Sequence, residues 1–185
     1  MKRLILLAVL CGCGDRHAEP DVVEVNALVP AAHKSDLDFV MRDVAEVLPP
    51  WKLNWTIPAP KSWEVVGLDL VAPHRKGSND PSSYVGSFIA LRAEKCEGEC
   101  VPPQRLTGKF VLSEHDEDFK VNGRTLHRRV QVSSSQVQGD DAVNISVHTW
   151  PSTGPVLHEC SVRLEPEFQD ARKAFETACT LATVN

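Results

Sequence analysis

Three short apolar runs near the C-terminal end, Leu126 to Val132, Ala142 to Trp150 and Val156 to Leu164, constrain the fold more than any other feature of the sequence. Within the second run, Val143, Ile145 and Val147 alternate with residues that include His148. A period of two sends one set of side chains to a buried sheet face and the other set to the opposite face. The runs are separated by Gly139-Asp140-Asp141 and Pro151-Ser152-Thr153-Gly154-Pro155, and Asn122-Gly123 marks a turn ahead of the first. This spacing predicts an antiparallel meander. Pro166 then opens a helix whose apolar stripe is Phe168, Ala171, Phe175, Ala178, Cys179 and Ala182. The expected class is therefore α+β, an antiparallel sheet packed on one face by a C-terminal helix.

The same strand and helix place two cysteines. Val156, His158, Cys160, Val162 and Leu164 share one face of the last strand, and Cys179 lies on the apolar stripe of the helix. Both thiols point into one layer, which predicts a Cys160–Cys179 disulfide closing a loop of about twenty residues. Cys96 and Cys100 bracket Glu97-Gly98-Glu99, where glycine can take the positive φ that so small a ring needs. With Cys11 and Cys13 assigned to the N-terminal segment, these four make an even set, read as two disulfides among three possible connectivities. They do not have the paired close spacing of a zinc ribbon or finger. Nor is Cys96 to Cys100 the Cys-x-x-Cys of thiol oxidoreductases.

The first half of the chain is harder to read. Residues 35–48 carry both a helical pattern (Leu37, Val40, Met41, Val44 and Leu48) and an alternating one (Leu37, Phe39 and Met41). The break at Pro49-Pro50 and renewed alternation through Leu53 and Trp55 favour two strands joined by a turn. Val22 to Val29 is expected to add an edge strand, Pro58-Ala59-Pro60 a rigid corner, Glu64 to Val71 a strand, and Tyr84 to Ala93 another. Residues 74–83 read as a surface loop. The cluster Trp51, Trp55 and Trp63 reads as core and edge packing in preference to a ligand platform.

The chain begins Met1-Lys2-Arg3, followed by the apolar run Leu4 to Leu10. This is the pattern of a secretory signal, and about seven apolar residues are too few to span a bilayer. The run closes in Leu10-Cys11-Gly12-Cys13, which resembles the lipobox of bacterial lipoproteins. Cys13 follows the small Gly12 and has Leu10 at the third position back, whereas Cys11 follows the bulky Leu10. The resemblance implies cleavage before Cys13, acylation of that residue, and retention at the outer membrane on its periplasmic side, because Gly14 stands where aspartate would favour the inner membrane. Several acyl chains, at about 0.8 kcal/mol per buried methylene, make such an anchor effectively permanent. The expected organisation is a signal peptide at 1–12, a lipidated cysteine and tether at 13–24, and one disulfide-stabilised globular domain at 25–185. Cleavage takes away Lys2 and Arg3 and no acid, moving the formal net charge from −5 to −7. An acidic chain whose most basic stretch is His127-Arg128-Arg129 lacks the electrostatic footprint of a nucleic-acid binder, and that trio reads as a solvated strand face.

Chemistry is sparse. Ser113-Glu114-His115-Asp116-Glu117-Asp118 offers oxygen ligands and one imidazole, but without the glycine and ligand alternation of a calcium loop, so it reads as a solvated acidic loop. His158 falls on the buried strand face and His148 on the opposite one, and neither has a visible nucleophile partner. No nucleophile elbow, zinc-protease motif, phosphate loop or dinucleotide fingerprint occurs. No catalytic residue, metal ligand or cofactor is assigned.

Over nearly the whole mature chain, Leu37-Asp38-Phe39, Pro60-Lys61-Ser62-Trp63, Cys96-Glu97-Gly98-Glu99-Cys100 and a final strand and helix each bearing a cysteine resemble an uncharacterised family of bacterial lipoproteins of myxobacterial type. More loosely, the opening hairpin, the proline-to-tryptophan corner, the late meander and the terminal helix are similar to the PsbP-like α/β sandwich, although Ser62 replaces the usual glycine before the tryptophan. The resulting expectation is a lipid-anchored periplasmic domain with a non-catalytic binding or structural role, its partners the membrane and an envelope protein. The alternatives are an inhibitor or immunity protein for a toxin or hydrolase, and a hydrolase or metal-binding protein using His115 or His158.

Overall fold

The alternating runs do form strands, and their registers line up the expected faces. A computed structural model describes residues 20–48, 51–73, 86–136, 141–152 and 156–184. Among these the order is α1 (Pro20–Ala27), β1 (Phe39–Leu48), β2 (Trp51–Pro60), β3 (Glu64–Val66), β4 (Asp69–Val71), β5 (Phe88–Lys95), β6 (Val111–Val121), β7 (Arg124–Ser134), β8 (Val143–Pro151), β9 (Val156–Leu164), α2 (Arg172–Thr180) and β10 (Thr183–Val184). Short 3-10 segments cover Ala31–His33 and Pro166–Ala171. One sheet has the order β1-β2-β10, the other β3-β4-β5-β9-β8-β7-β6, and every pairing is antiparallel.

The expected meander is β7-β8-β9, with Val130 opposite Val147 and Val147 opposite Cys160 in one buried row, and Val132, Ile145 and Val162 in the next. The turn read at Asn122-Gly123 joins β6 to β7, with φ of 49° and 78°, the two positive values that a two-residue hairpin turn requires. Residues 39–60 are a hairpin in which Phe39 faces Pro60 and Leu48 faces Trp51, so the alternating pattern prevails over the helical one.

The α+β class is overturned, and with it the helix-covered arrangement that the PsbP-like resemblance implied. Among the described residues strand far outweighs helix, and the two antiparallel sheets form a β sandwich. The reason is reach. A helix of nine residues is about 13 Å long, whereas seven strands span roughly 29 Å across the sheet, so α2 cannot cover that face. Instead α2 packs against elements of both sheets, β2 on one side and β8 and β9 on the other.

Other local expectations are corrected too. Val22, Val25 and Val29 are buried at helical spacing while Val23 and Leu28 are exposed, so the expected edge strand is α1 and the turn after it. Asn26 of α1 receives the Phe39 backbone N–H on its Oδ1 and donates Nδ2 to the Phe39 carbonyl, both at 2.9 Å, pairing with β1 much as another strand would. Pro58-Ala59-Pro60 is no corner but the end of β2. β10 pairs with β2 only at Trp55 and Thr56, so beyond them the outer side of β2 is an edge, where proline's missing N–H costs nothing. Glu64 to Val71 is a tight hairpin, β3 with β4, and not one strand. Residues 113–118, read as a loop, lie inside β6. The strand read at Tyr84 to Ala93 is observed as Phe88–Lys95, and the loop at 74–83 lies outside the described residues.

Cys96 pairs with Cys100 and Cys160 with Cys179 at disulfide distance, with Cα separations of 5.1 and 5.6 Å. Gly98 has φ of 95° inside the smaller ring. Trp55 and Trp63 are both 2% exposed, in keeping with the core reading of those two residues. Because the longer loop restricts the unfolded chain more, the Cys160→Ala/Cys179→Ala double variant should lose about 3 kcal/mol and the Cys96→Ala/Cys100→Ala variant about 2 kcal/mol. Urea unfolding of the two proteins checks the order.

Candidate functional site

Two groups of residues singled out in the sequence come together across β6 and β7. Asp116 stands opposite Arg129, Glu117 opposite Arg128, and Asp118 opposite His127. The acidic run and the basic trio are therefore the two halves of one cross-strand ladder. Arg129 donates Nε to Asp116 Oδ1 at 2.7 Å and Nη2 to Oδ2 at 3.0 Å, Arg128 donates to Glu117 at 2.7 Å, and His127 Nδ1 lies 2.7 Å from Asp118.

On the outer face the segment before β6 folds over this ladder. Arg105 bonds Glu114 at 2.5 Å and also reaches Asp116, while Arg129 donates to the Pro103 carbonyl. Gln131 donates Nε2 to Glu114 at 2.9 Å and to the Gln104 carbonyl at 3.1 Å. Arg129, at 7% exposure, is thus buried and not on a solvated face. The hydrogen bond from Gln131 holds the Glu114 carboxyl below the ordinary range, and that from Arg129 does the same for Asp116. These carboxylates are committed to protein donors. Among the described residues no three His, Cys, Asp or Glu side chains converge as a metal site. His115 is exposed on β6 opposite Val130.

The inner face carries a different arrangement. Arg128 of β7, Thr149 of β8 and His158 of β9 stand opposite one another in a polar row across the sheet. This row borders a cavity of about 530 Å³, within the roughly 300–1,000 Å³ of small-molecule sites. Phe119, Leu126, Val147 and Val156 supply apolar wall from the large sheet, and Trp55 and residues 179–184 close the other side. Trp55 meets His158 edge-on with ring centroids 5.6 Å apart. The Cys160–Cys179 bridge forms the floor where α2 joins the large sheet. Asp21, on the rim, puts the start of α1 beside the mouth.

Burial pushes the His158 pKa down, and nothing among the described residues hydrogen-bonds the ring. His148, on the outer face 3.7 Å from Glu159, is also lowered, first by burial. Among the described residues His158 therefore makes no hydrogen bond to the Thr149 hydroxyl opposite it or to any carboxylate. A second cleft of about 400 Å³ lies between His33, Trp63 and Phe168, where His33 Nε2 lies 2.9 Å from Asp170 and Ser62 donates to the Asp36 carbonyl.

The alternation in the sequence placed His158 inward and His148 outward, as observed. It did not reveal the cavity, whose walls come from β2, the β6–β9 inner face and the C-terminal segment. Cys11, Cys13 and Gly14 lie outside the described residues.

Both histidines give a pH signature. A histidine of free pKa about 6.5 that stays neutral when folded takes up its proton in the unfolded chain first. Stability is then complete above about pH 6.5 and falls as the pH drops toward the depressed folded value, by up to about 1.4 kcal/mol per pH unit for each group. His158→Gln should flatten this loss between pH 7 and 5, measured by urea unfolding at each pH. Glu114 and Asp116, whose pKa values are lowered, act in a separate window, below about pH 4.5.

No protein-family model matches the chain, and no curated protein matches it either.

Proposed function

We propose that this chain is a lipid-anchored domain of the bacterial cell envelope that binds a small molecule, without catalysis, in the cavity between its two sheets. The cavity carries the reading: it is walled mainly by apolar side chains and crossed by one polar row. Anchoring through Cys13 rests on the Leu10-Cys11-Gly12-Cys13 pattern, and the two cysteine pairs suit an oxidising compartment such as the periplasm. Asp21, in the first turn of α1, also borders the cavity. A non-catalytic role agrees with a neutral His158 packed against an indole. An inhibitor role is less favoured because Glu114, Asp116 and Glu117 are already paired within the sheet.

Two measurements test the proposal. Cys13→Ser should move the protein from the membrane to the soluble fraction with its fold intact, and persistent membrane attachment would contradict the anchor. The released protein, free of detergent, should bind the uncharged dye N-phenyl-1-naphthylamine saturably at one site, and Thr149→Phe should abolish that binding. Dye uptake that never saturates would contradict the cavity as a binding site.

A further inference from the structure

The polar row that crosses the cavity contains two neighbouring side chains whose hydrogen-bonding groups are unused. Thr149 of β8 and His158 of β9 stand directly opposite each other on adjacent antiparallel strands, and both are half-buried residues of the cavity lining. Among the described residues neither the Thr149 hydroxyl nor the His158 ring is hydrogen-bonded. Side chains so placed have Cβ atoms about 5 Å apart, so one oxygen atom held over the pair can reach both. Burial keeps the imidazole neutral, which leaves it one N–H donor and one bare nitrogen acceptor, while the threonine hydroxyl both donates and accepts. A ligand hydroxyl matches that set, donating to one of the two and accepting from the other.

The charges around the pair are already balanced. Arg128, the third member of the row, is bonded to Glu117 at 2.7 Å and lies 4.2 Å from the centroid of the Phe119 ring. Arg124 and Asp21, of opposite sign, also belong to the lining, and both are exposed where solvent and salt screen them. Trp55 Nε1 and Arg128 Nε are fully buried and offer nothing to a ligand. Away from the row the wall is hydrocarbon, from Leu126, Val147, Val156 and Leu181. An ionised head, of either sign, would lose hydration here without gaining an unpaired countercharge, whereas an uncharged hydroxyl loses far less and recovers its hydrogen bonds from Thr149 and His158.

Resting on the binding reading above, we propose that the cavity holds an uncharged, largely hydrocarbon molecule headed by a hydroxyl group, with the hydroxyl seated between Thr149 and His158 and the hydrocarbon along the apolar wall. The pair orients the head; the wall supplies most of the contact area.

The test is displacement of N-phenyl-1-naphthylamine from the Cys13→Ser protein by 1-decanol, decyl methyl ether, decanoate and decylamine. Decanol should displace the dye at a concentration about fivefold or more below that of the ether, which lacks the donor, and about tenfold or more below those of the acid and the amine. Thr149→Val, which keeps the shape but removes the hydroxyl, and His158→Phe, which keeps a ring against Trp55 but removes both nitrogens, should each weaken decanol by about five- to tenfold, the worth of one hydrogen bond, and leave dye affinity within about twofold. Thr149→Ser, which restores the hydroxyl, should keep decanol affinity within about twofold. Equal displacement by decanol and its ether would overturn the hydroxyl, and decanoate or decylamine stronger than decanol would overturn the uncharged head. Unchanged decanol affinity in Thr149→Val or in His158→Phe, or a loss in Thr149→Ser as large as in Thr149→Val, would overturn the shared hydrogen bonding. Failure of the dye itself to bind would instead remove the binding reading on which the proposal rests.

Discussion

Phe175 packs against Phe39 of the small sheet and against Trp63, with ring centroids 5.2 Å away in both cases, while Cys179, one turn along the same helix, is bonded to Cys160 of the large sheet. The interior depends on this wedge. All five residues are buried, and together they tie α2 to both sheets at one end of the sandwich. Past Thr180 the helix stops, and the chain returns to β2 as the two-residue β10. Beyond the bridge, Trp55 and His158 span the gap and the remaining space is the cavity. A buried aromatic cluster at one end and an open space at the other thus follow from a helix of only nine residues.

The outer face solves another problem. β6 is an edge strand of eleven residues, and a long edge invites pairing with other chains. Its run from Glu114 to Asp118 makes that edge strongly charged, which discourages such pairing. The same carboxylates are offset by Arg105, Arg128 and Arg129 from within the chain. Arg128 belongs to both systems, as partner of Glu117 in the ladder and as part of the cavity wall.

What was legible in the sequence was local. Period-two alternation placed β7, β8 and β9, Asn122-Gly123 fixed the turn before them, and the faces so defined brought Cys160 to Cys179. The helix at residues 20–27 is masked in the sequence by valines that suit strands, although Pro20-Asp21 and the spacing of Val22, Val25 and Val29 agree with a helix start and stripe. β6 was hidden because an edge strand of charged residues has no apolar period; its signal was the basic trio that faces it in register. The class is not legible because a stripe of six apolar positions says that a helix is buried but not against how many sheets. The cavity was not legible at all, since it depends on where the helix ends relative to strands more than a hundred residues apart in sequence.

The account stands on the space between Trp55, Val147, His158 and the Cys160–Cys179 bridge being an open apolar site in the folded protein. A crystal structure under xenon pressure tests this most directly, because apolar cavities take up the gas without needing a polar partner. Xenon density between those residues is the predicted result. Side chains collapsed across the gap, with no xenon there, would contradict it.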